Sequence, residues 1–385
     1  MKNAIHKRIG IIGGGQLGKM MILEAKRLGL YVVTLDPDPG CPSSSISDEL
    51  IVAGVKERDA IFDLAGKVDV ITYEWEQVNA EALAELEGKG YPVYPAAASL
   101  ILIQDKFTQK TKLHENGLKV PGFHAIGSFG TLREYAEQNG FPFMLKTRKD
   151  GYDGKGTFLI RSDKDLEAGF AALGGGKLTL MAEAFVDYSV EVSVIATRGI
   201  NGEKVVYPIP RNDHANSILE TSTVPAGLPE DLQGHIYKAA EKVLDIFEGV
   251  GTFGVEMFVG KDGGIYINEV APRPHNSGHF TIEACRVNQF ENHMRAILGL
   301  SLGCTDLLHN AVIMRNLLGQ GDGKANVAGL EEVYALPGVN IHIYGKAQSK
   351  TARKMGHYTV TADSLEEAQK IDAKAAKIVK ITGEV

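Results

Sequence analysis

Two glutamates, Glu256 and Glu269, each belong to a short apolar run, and the runs are separated by Lys261, Asp262, Gly263 and Gly264. Asp-Gly is a strong hairpin signal, so residues 255–259 and 265–269 read as antiparallel strands. With Asp262 and Gly263 as the two central turn residues, Glu256 faces Glu269 directly. Like charges directly opposite one another destabilise a sheet by up to about 1 kcal/mol, which points to a cation between them. Hard oxygen ligands favour Mg²⁺, with Mn²⁺ as the alternative. A slip of register that separates the carboxylates is the competing arrangement. Immediately downstream lie Arg273, His275 and Asn276 in a proline-stiffened loop rich in donors, where the Arg273 fork suits a carboxylate or phosphate. His275 and His279 lack a third partner for zinc.

A second concentration of chemistry runs through Lys146, Arg148, Lys149, Gly151, Tyr152, Asp153, Gly154, Lys155, Gly156 and Thr157. Three glycines in six positions leave backbone N–H groups unshielded, and the four cations supply positive charge, so the stretch reads as a phosphate cover. It lies between two apolar strands and lacks the Lys-Ser or Lys-Thr pair of a Walker A loop, which makes it a hairpin lid; a basic surface hairpin is the plainer alternative. Upstream, Gly13, Gly14, Gly15, Gln16, Leu17 and Gly18 join an apolar strand to a helix, a turn that suits a phosphate at a helix N-terminus. Gly13, Gly15, Gly18 and Asp36 also fit a dinucleotide fingerprint, which leaves an NAD-dependent oxidoreductase open, although Asp36 runs into the rigid turn Pro37, Asp38, Pro39. Glu74 and Glu76 close a strand and share a face, where they could hold an amine or hydroxyls or be solvated. Glu191, in an otherwise apolar strand, should reach solvent or a ligand's hydroxyls.

These residues need a scaffold of several cores, and 385 residues with 44% hydrophobic and 23% charged composition can supply it. Strands and helices alternate up to about residue 104, as in a parallel sheet covered on both faces. A helical pattern over residues 99–115 carries Lys106 and ends at Gly117. The expected organisation is a Rossmann-like α/β domain over 1–104, a central domain over 105–302 with a lid at about 121–186, and a small mixed domain over 303–385. In the last of these, strands are expected over 311–315, 339–344 and 357–361, before a helix opened by the capping box from Ser364 to Glu367. Lys346, Arg353 and Lys354 form a basic loop there, which read alone is a solvated surface. A net charge of −7 argues against nucleic acid, and three scattered cysteines fit a reduced, cytoplasmic setting. No span long enough for a membrane is evident.

Taken together, the glycine lid with its upstream strand lysine, the Glu183 to Val186 segment and the paired-carboxylate hairpin resemble the ATP-grasp superfamily, in order over nearly the whole chain. Residues 13–20, 151–157, 211–219 around His214, 273–281 and 353–357 further resemble the carboxyaminoimidazole ribonucleotide synthase family of bacterial purine biosynthesis. That resemblance implies an ATP-dependent ligase joining bicarbonate to the amine of aminoimidazole ribonucleotide through carboxyphosphate, and a homodimer. It implies that Lys106, Lys146 and the lid meet the ATP phosphates, and that backbone groups of Glu183, Ala184, Phe185 and Val186 meet adenine. Glu191 would take the ribose, His214 would lie at the nucleotide, and Glu256, Asn268 and Glu269 would hold Mg²⁺. Arg273, His275 and Asn276 would be catalytic. Gly15, Gln16, Leu17, Glu74, Glu76, Tyr152, Lys346, Arg353 and Lys354 would bind the ribonucleotide. A formate-dependent glycinamide ribonucleotide transformylase is the rival within the superfamily, and a non-catalytic nucleotide sensor a third option.

Overall fold

The computed structural model describes residues 6–151 and 156–384, so Tyr152, Asp153, Gly154 and Lys155 of the glycine lid lie outside the described residues. Near the N-terminus, the apolar strands Arg8–Ile12, Tyr31–Asp36, Glu49–Val52 and Val70–Tyr73 form a parallel sheet in which the first strand lies between the second and the fourth. Their buried faces, with Ile11, Val32, Leu35 and Ile71 at 0–1% exposure, pack against flanking helices. The glycine turn leads into the helix Gln16–Arg27. The fourth strand stops at Tyr73, so Glu74 and Glu76 lie beyond it rather than on one strand face.

The helical pattern over 99–115 is interrupted. Helices Ala97–Gln104 and Lys106–Glu115 meet at Asp105, whose extended backbone and side-chain bonds to the N–H groups of Phe107 and Thr108 make it an N-cap. The following unit is an antiparallel sheet in the order Phe123–Ile126, Leu180–Ala184, Phe143–Thr147, Thr157–Ile160, backed by helices Phe129–Asn139 and Asp163–Ala172 over a core of Leu132, Phe143, Leu145 and Ile160. The lid hairpin is therefore the Phe143–Thr147 and Thr157–Ile160 pair, with Lys146 opposite Thr157.

A twelve-stranded sheet among the described residues forms the rest. Its edge strand Ile265–Ala271 pairs with Gly251–Gly260, which pairs with Tyr188–Arg198; Arg211–Ala215 and Ile218–Val224 follow. The sheet runs across residue 303 without a break, because Ile218–Val224 pairs with Ala311–Gln320, and the latter with Lys354–Ala362. The strand Val339–Ile343 and the Ser364-capped helix Leu365–Ile378 complete this region, together with Gly323–Ala328 and Lys380–Glu384, two strands that the sequence pattern did not suggest. The helix Glu230–Phe247 buries Ile236, Ala240, Val243 and Leu244 against the central strands. Among the described residues, no helix is long and apolar enough to cross a membrane.

Candidate active site

The hairpin that carries Glu256 and Glu269 reaches the expected pairing by an unexpected route. Its loop has three residues, Lys261, Asp262 and Gly263: the Gly263 N–H donates to the Gly260 carbonyl, and Gly263 adopts φ +77°. That is a type I turn closed by a left-handed glycine, and it shifts the register by one from a two-residue turn. Val259, Phe258 and Met257 accordingly face Ile265, Tyr266 and Ile267. A bulge then leaves Asn268 without an opposite residue, and from there Glu256 faces Glu269. The two shifts cancel.

The facing carboxylates differ. Glu269 is paired with the Lys106 ammonium at 2.5 Å, and although burial opposes it, that charge holds Glu269 below the usual carboxylate range. Glu256 has only weak partners, with Asn268 Nδ2 and His275 Nε2 each at 3.4 Å. Burial, followed by the charges of Glu191 and Glu269, pushes Glu256 up to about 7. The His275 ring is itself held well below its ordinary value, first by burial and then by the charges of Arg273 and Lys354. Its Nδ1 accepts from the Ser277 N–H at 3.3 Å, which turns the Nε2–H toward Glu256. Both polar atoms of the buried Asn276 amide lack a hydrogen-bond partner among the described residues.

Glu191 and His214 lie on neighbouring strands, 3.2 Å apart. Burial would lower His214, but the Glu191 carboxylate more than offsets it and raises the imidazole. Lys146 donates to Glu183 at 2.6 Å, and Lys110, which the sequence reading did not single out, pairs with the other Glu183 oxygen at 2.8 Å. Burial would raise Glu183, but the two ammoniums hold it at about 2. Lys110 sits one helical turn after Lys106 and so on the same face, which was the available signal.

Several expected ligand contacts are already committed within the chain. The backbone of Glu183 is spent on the sheet, and the Ala184 N–H donates to Gly122 O, while Phe185 and Val186 extend past the strand end. The N-terminal glycine loop holds its own anions: Glu74 accepts from the N–H groups of Gly15 and Gly18, and Asp36 accepts from Gly14 at 2.7 Å. A side chain at Gly15 would collide with the Glu74 carboxylate, so the glycines are what admit it. A ligand phosphate would therefore share the Gly15 N–H with Glu74, and a dinucleotide ribose at Asp36 would share that carboxylate with Gly14. Glu76 instead pairs with Arg273 at 2.7 Å, which joins the first domain to the donor-rich loop.

In the C-terminal region, Lys346 donates to Lys354 O at 2.7 Å and Arg353 Nη1 to Gln348 O at 2.9 Å. The charge of Lys354 reaches His275 and His214, so this residue faces the cluster. Asp105 accepts a forked pair from Arg148, which anchors one end of the lid loop on the N-cap of the Lys106 helix. A cavity of about 300 Å³ opens here, lined by Glu76, Gln77, Asn79, Lys106, Arg148, Gly151 and Glu269, between the first domain and the lid. Among the described residues, no three His, Cys, Asp or Glu side chains form a ready-made metal cluster.

Three domain families match the chain: a ribonucleotide synthetase preATP-grasp domain over residues 6–104, an ATP-grasp domain over 111–290, and a phosphoribosylaminoimidazole carboxylase C-terminal domain over 312–371. An N5-carboxyaminoimidazole ribonucleotide synthase of Staphylococcus aureus is 39% identical over 362 residues, 94% of either chain. The chain belongs to the N5-carboxyaminoimidazole ribonucleotide synthase family. The N5-carboxyaminoimidazole ribonucleotide synthetase structure from Thermotoga maritima is 42% identical and superposes with a TM-score of 0.89 over 98% of this chain and all of that one. A synthase of this family from Aspergillus clavatus, in complex with ADP and 5-aminoimidazole ribonucleotide, is 32% identical, with a TM-score of 0.89 over 98% and 99% of the two chains. Membership makes the chain an ATP-grasp ligase.

Proposed function

We propose that the chain joins bicarbonate to the exocyclic amine of 5-aminoimidazole ribonucleotide at the expense of ATP, giving the N5-carboxyamino product, ADP and phosphate. The observation that carries this reading is the facing of Glu256 and Glu269 within reach of Lys106 and His275. It joins a cation-seeking carboxylate pair to a donor-rich loop. The residues fit a divalent ion, because the half-buried Glu256 lies opposite a second carboxylate without a full counter-charge. Glu256, Glu269 and Asn268 would hold Mg²⁺, whose contribution when bound is to offset charge on the phosphates.

Lys106 and Lys146 balance the ATP phosphates, the second oriented by Glu183. Glu191 accepts from the nucleotide ribose, and His214, bonded to it, fixes its direction. A bicarbonate oxygen attacks the γ-phosphorus, the bond to ADP breaks, and carboxyphosphate forms. The Arg273 fork, held by Glu76, and the Asn276 amide, which lacks a partner among the described residues, meet the developing negative charge. Carboxyphosphate must be kept from water, and the lid hairpin covering the cleft serves that end. The amine nitrogen then bonds to the carboxyl carbon, phosphate leaves and the nitrogen loses a proton. Lys354, whose carbonyl accepts from Lys346, and Arg353 would meet the ribonucleotide's phosphate.

The test is ADP release by the pure protein with Mg-ATP and bicarbonate, with and without aminoimidazole ribonucleotide, against formate plus glycinamide ribonucleotide. Stimulation by the imidazole nucleotide alone is the expected result. Stimulation by the glycinamide pair alone would overturn the substrate while leaving the ATP chemistry.

A further inference from the structure

The strand Ile265–Ala271 is the outer edge of the long sheet, and among the described residues its one strand partner is Gly251–Gly260. The helix Lys106–Glu115 lies along its free side and grips three consecutive residues. Gln109, 2% exposed, exchanges two hydrogen bonds with the backbone of Val270: the Val270 N–H donates to Oε1 at 3.0 Å, and Nε2 donates to the Val270 carbonyl at 3.0 Å. Lys110, 1% exposed, donates from Nζ to the Asn268 carbonyl at 2.8 Å, with Glu183 as its counter-charge. Lys106 reaches the Glu269 carboxylate. Gln109 thus does for this edge what a neighbouring strand would do.

Asn268 is the bulge residue on which the carboxylate pair depends. Without the bulge, the register at the turn would continue, Glu256 would face Asn268, and Glu269 would fall opposite Val255 on the other face of the sheet. The bulge carbonyl is bonded to a fully buried ammonium, and the next residue but one is tied on both its backbone groups. Neither Gln109 nor Lys110 touches the reacting atoms. We propose that both are positioning residues, which lock the Asn268 bulge and thereby aim Glu256 and Glu269 at one divalent ion; this rests on the metal reading given above.

The experiment titrates Mn²⁺ into the full chain with ADP present, following free ion by electron paramagnetic resonance, for wild type, Gln109→Met, Lys110→Gln and Glu269→Gln. Hydrogen exchange of the Val270 amide is measured alongside. Gln109→Met and Lys110→Gln should each weaken Mn²⁺ binding by roughly 10- to 100-fold, the range typical of groups that orient metal ligands. Metal-free ADP affinity should stay unchanged in Gln109→Met, and Val270 exchange should quicken. If losing the buried cation unfolds the Lys110 variant, Gln109→Met, neutral and of similar length, decides alone. Unchanged Mn²⁺ affinity in folded Gln109→Met, with binding lost in Glu269→Gln, would overturn this inference and leave the metal reading standing. Unchanged affinity in Glu269→Gln would overturn both. Weakened Mn²⁺ binding without faster exchange at Val270 would show that the clamp is not the cause and overturn the inference as well.

Discussion

Glu74 and Glu76 follow the end of a strand in the first domain, while Glu256 and Glu269 sit inside a hairpin of the long sheet, and in the sequence both pairs are candidates to hold a ligand, the second pair the stronger. The structure separates them by what surrounds each carboxylate. Glu74 is 5% exposed and receives the N–H groups of Gly15 and Gly18; Glu76 receives the Arg273 guanidinium. Their charge is answered by the chain itself. Burial raises both Glu74 and Glu256, but the Gly18 and Gly15 N–H groups oppose it at Glu74, whereas at Glu256 the Glu191 and Glu269 carboxylates add to it. A buried anion whose donors are built in is architecture, and one whose counter-charge is missing marks the place for a ligand.

Substitution of Glu256, the unanswered member of its pair, should move activity and stability in opposite directions, whereas Glu269 is already paired with Lys106. Glu269→Gln and Glu256→Gln should each lower ADP release by about 10²- to 10³-fold or more, the scale of losing one aligned electrostatic group. Calorimetry on the ligand-free Glu256→Gln chain should show a melting temperature raised by roughly 1–2 °C, because like-charge repulsion is relieved. The gain must depend on pH. A carboxyl raised by folding leaves the folded state holding its proton while the unfolded chain has lost it, so stability falls as pH climbs from near 4.5 to about 7. The advantage of Glu256→Gln should therefore be absent at pH 4, grow through that window and level off above it. An advantage that is flat with pH would mean that Glu256 has a counter-charge after all, and the contrast with Glu74 would fail.

The order of domains and the hairpin itself were legible because apolar periodicity and glycine turns are local signals. The facing of Glu256 and Glu269 was reached through a turn one residue too short and a bulge not foreseen; nothing in the type of Asn268 marks it as the extra residue. The break between the helices at Asp105 could have been read from the capping preference of aspartate. The fate of Glu74 could not, because its acceptors of charge come from Gly15 and Gly18, 59 and 56 residues away. Gln109 and Lys110 look like ordinary polar helix residues until the edge strand is placed beside them. Gly323–Ala328 escaped notice because its small and polar residues give a strand's alternation little contrast.

On the answered side of the comparison, Glu74→Ala should cost the fold first. It strips two N–H groups of their acceptor inside the glycine turn, worth about 1–3 kcal/mol in urea unfolding, while turnover by the folded fraction changes little. If stability holds and the KM for the ribonucleotide rises instead, the carboxylate serves the substrate rather than the turn, and the two pairs are alike.

Glu76 should give the smallest effect and the finest distinction. Its partner Arg273 is proposed above to meet developing charge, and both side chains are 21% exposed, so solvent screens part of their attraction. Glu76→Gln and Arg273→Lys, made singly and together, form a double-mutant cycle in which the coupling energy for unfolding should be about 1 kcal/mol or less. Coupling in ADP release should be larger than that, since a guanidinium freed from Glu76 must be reoriented before each turnover. Arg273→Lys in particular keeps the charge but loses the planar fork. It should raise the KM for bicarbonate and lower kcat in the presence of Glu76, and be nearly indifferent to Glu76→Gln afterwards. Equal coupling in stability and in turnover would make the pair a plain inter-domain tie, as closed upon itself as Glu74 and its loop.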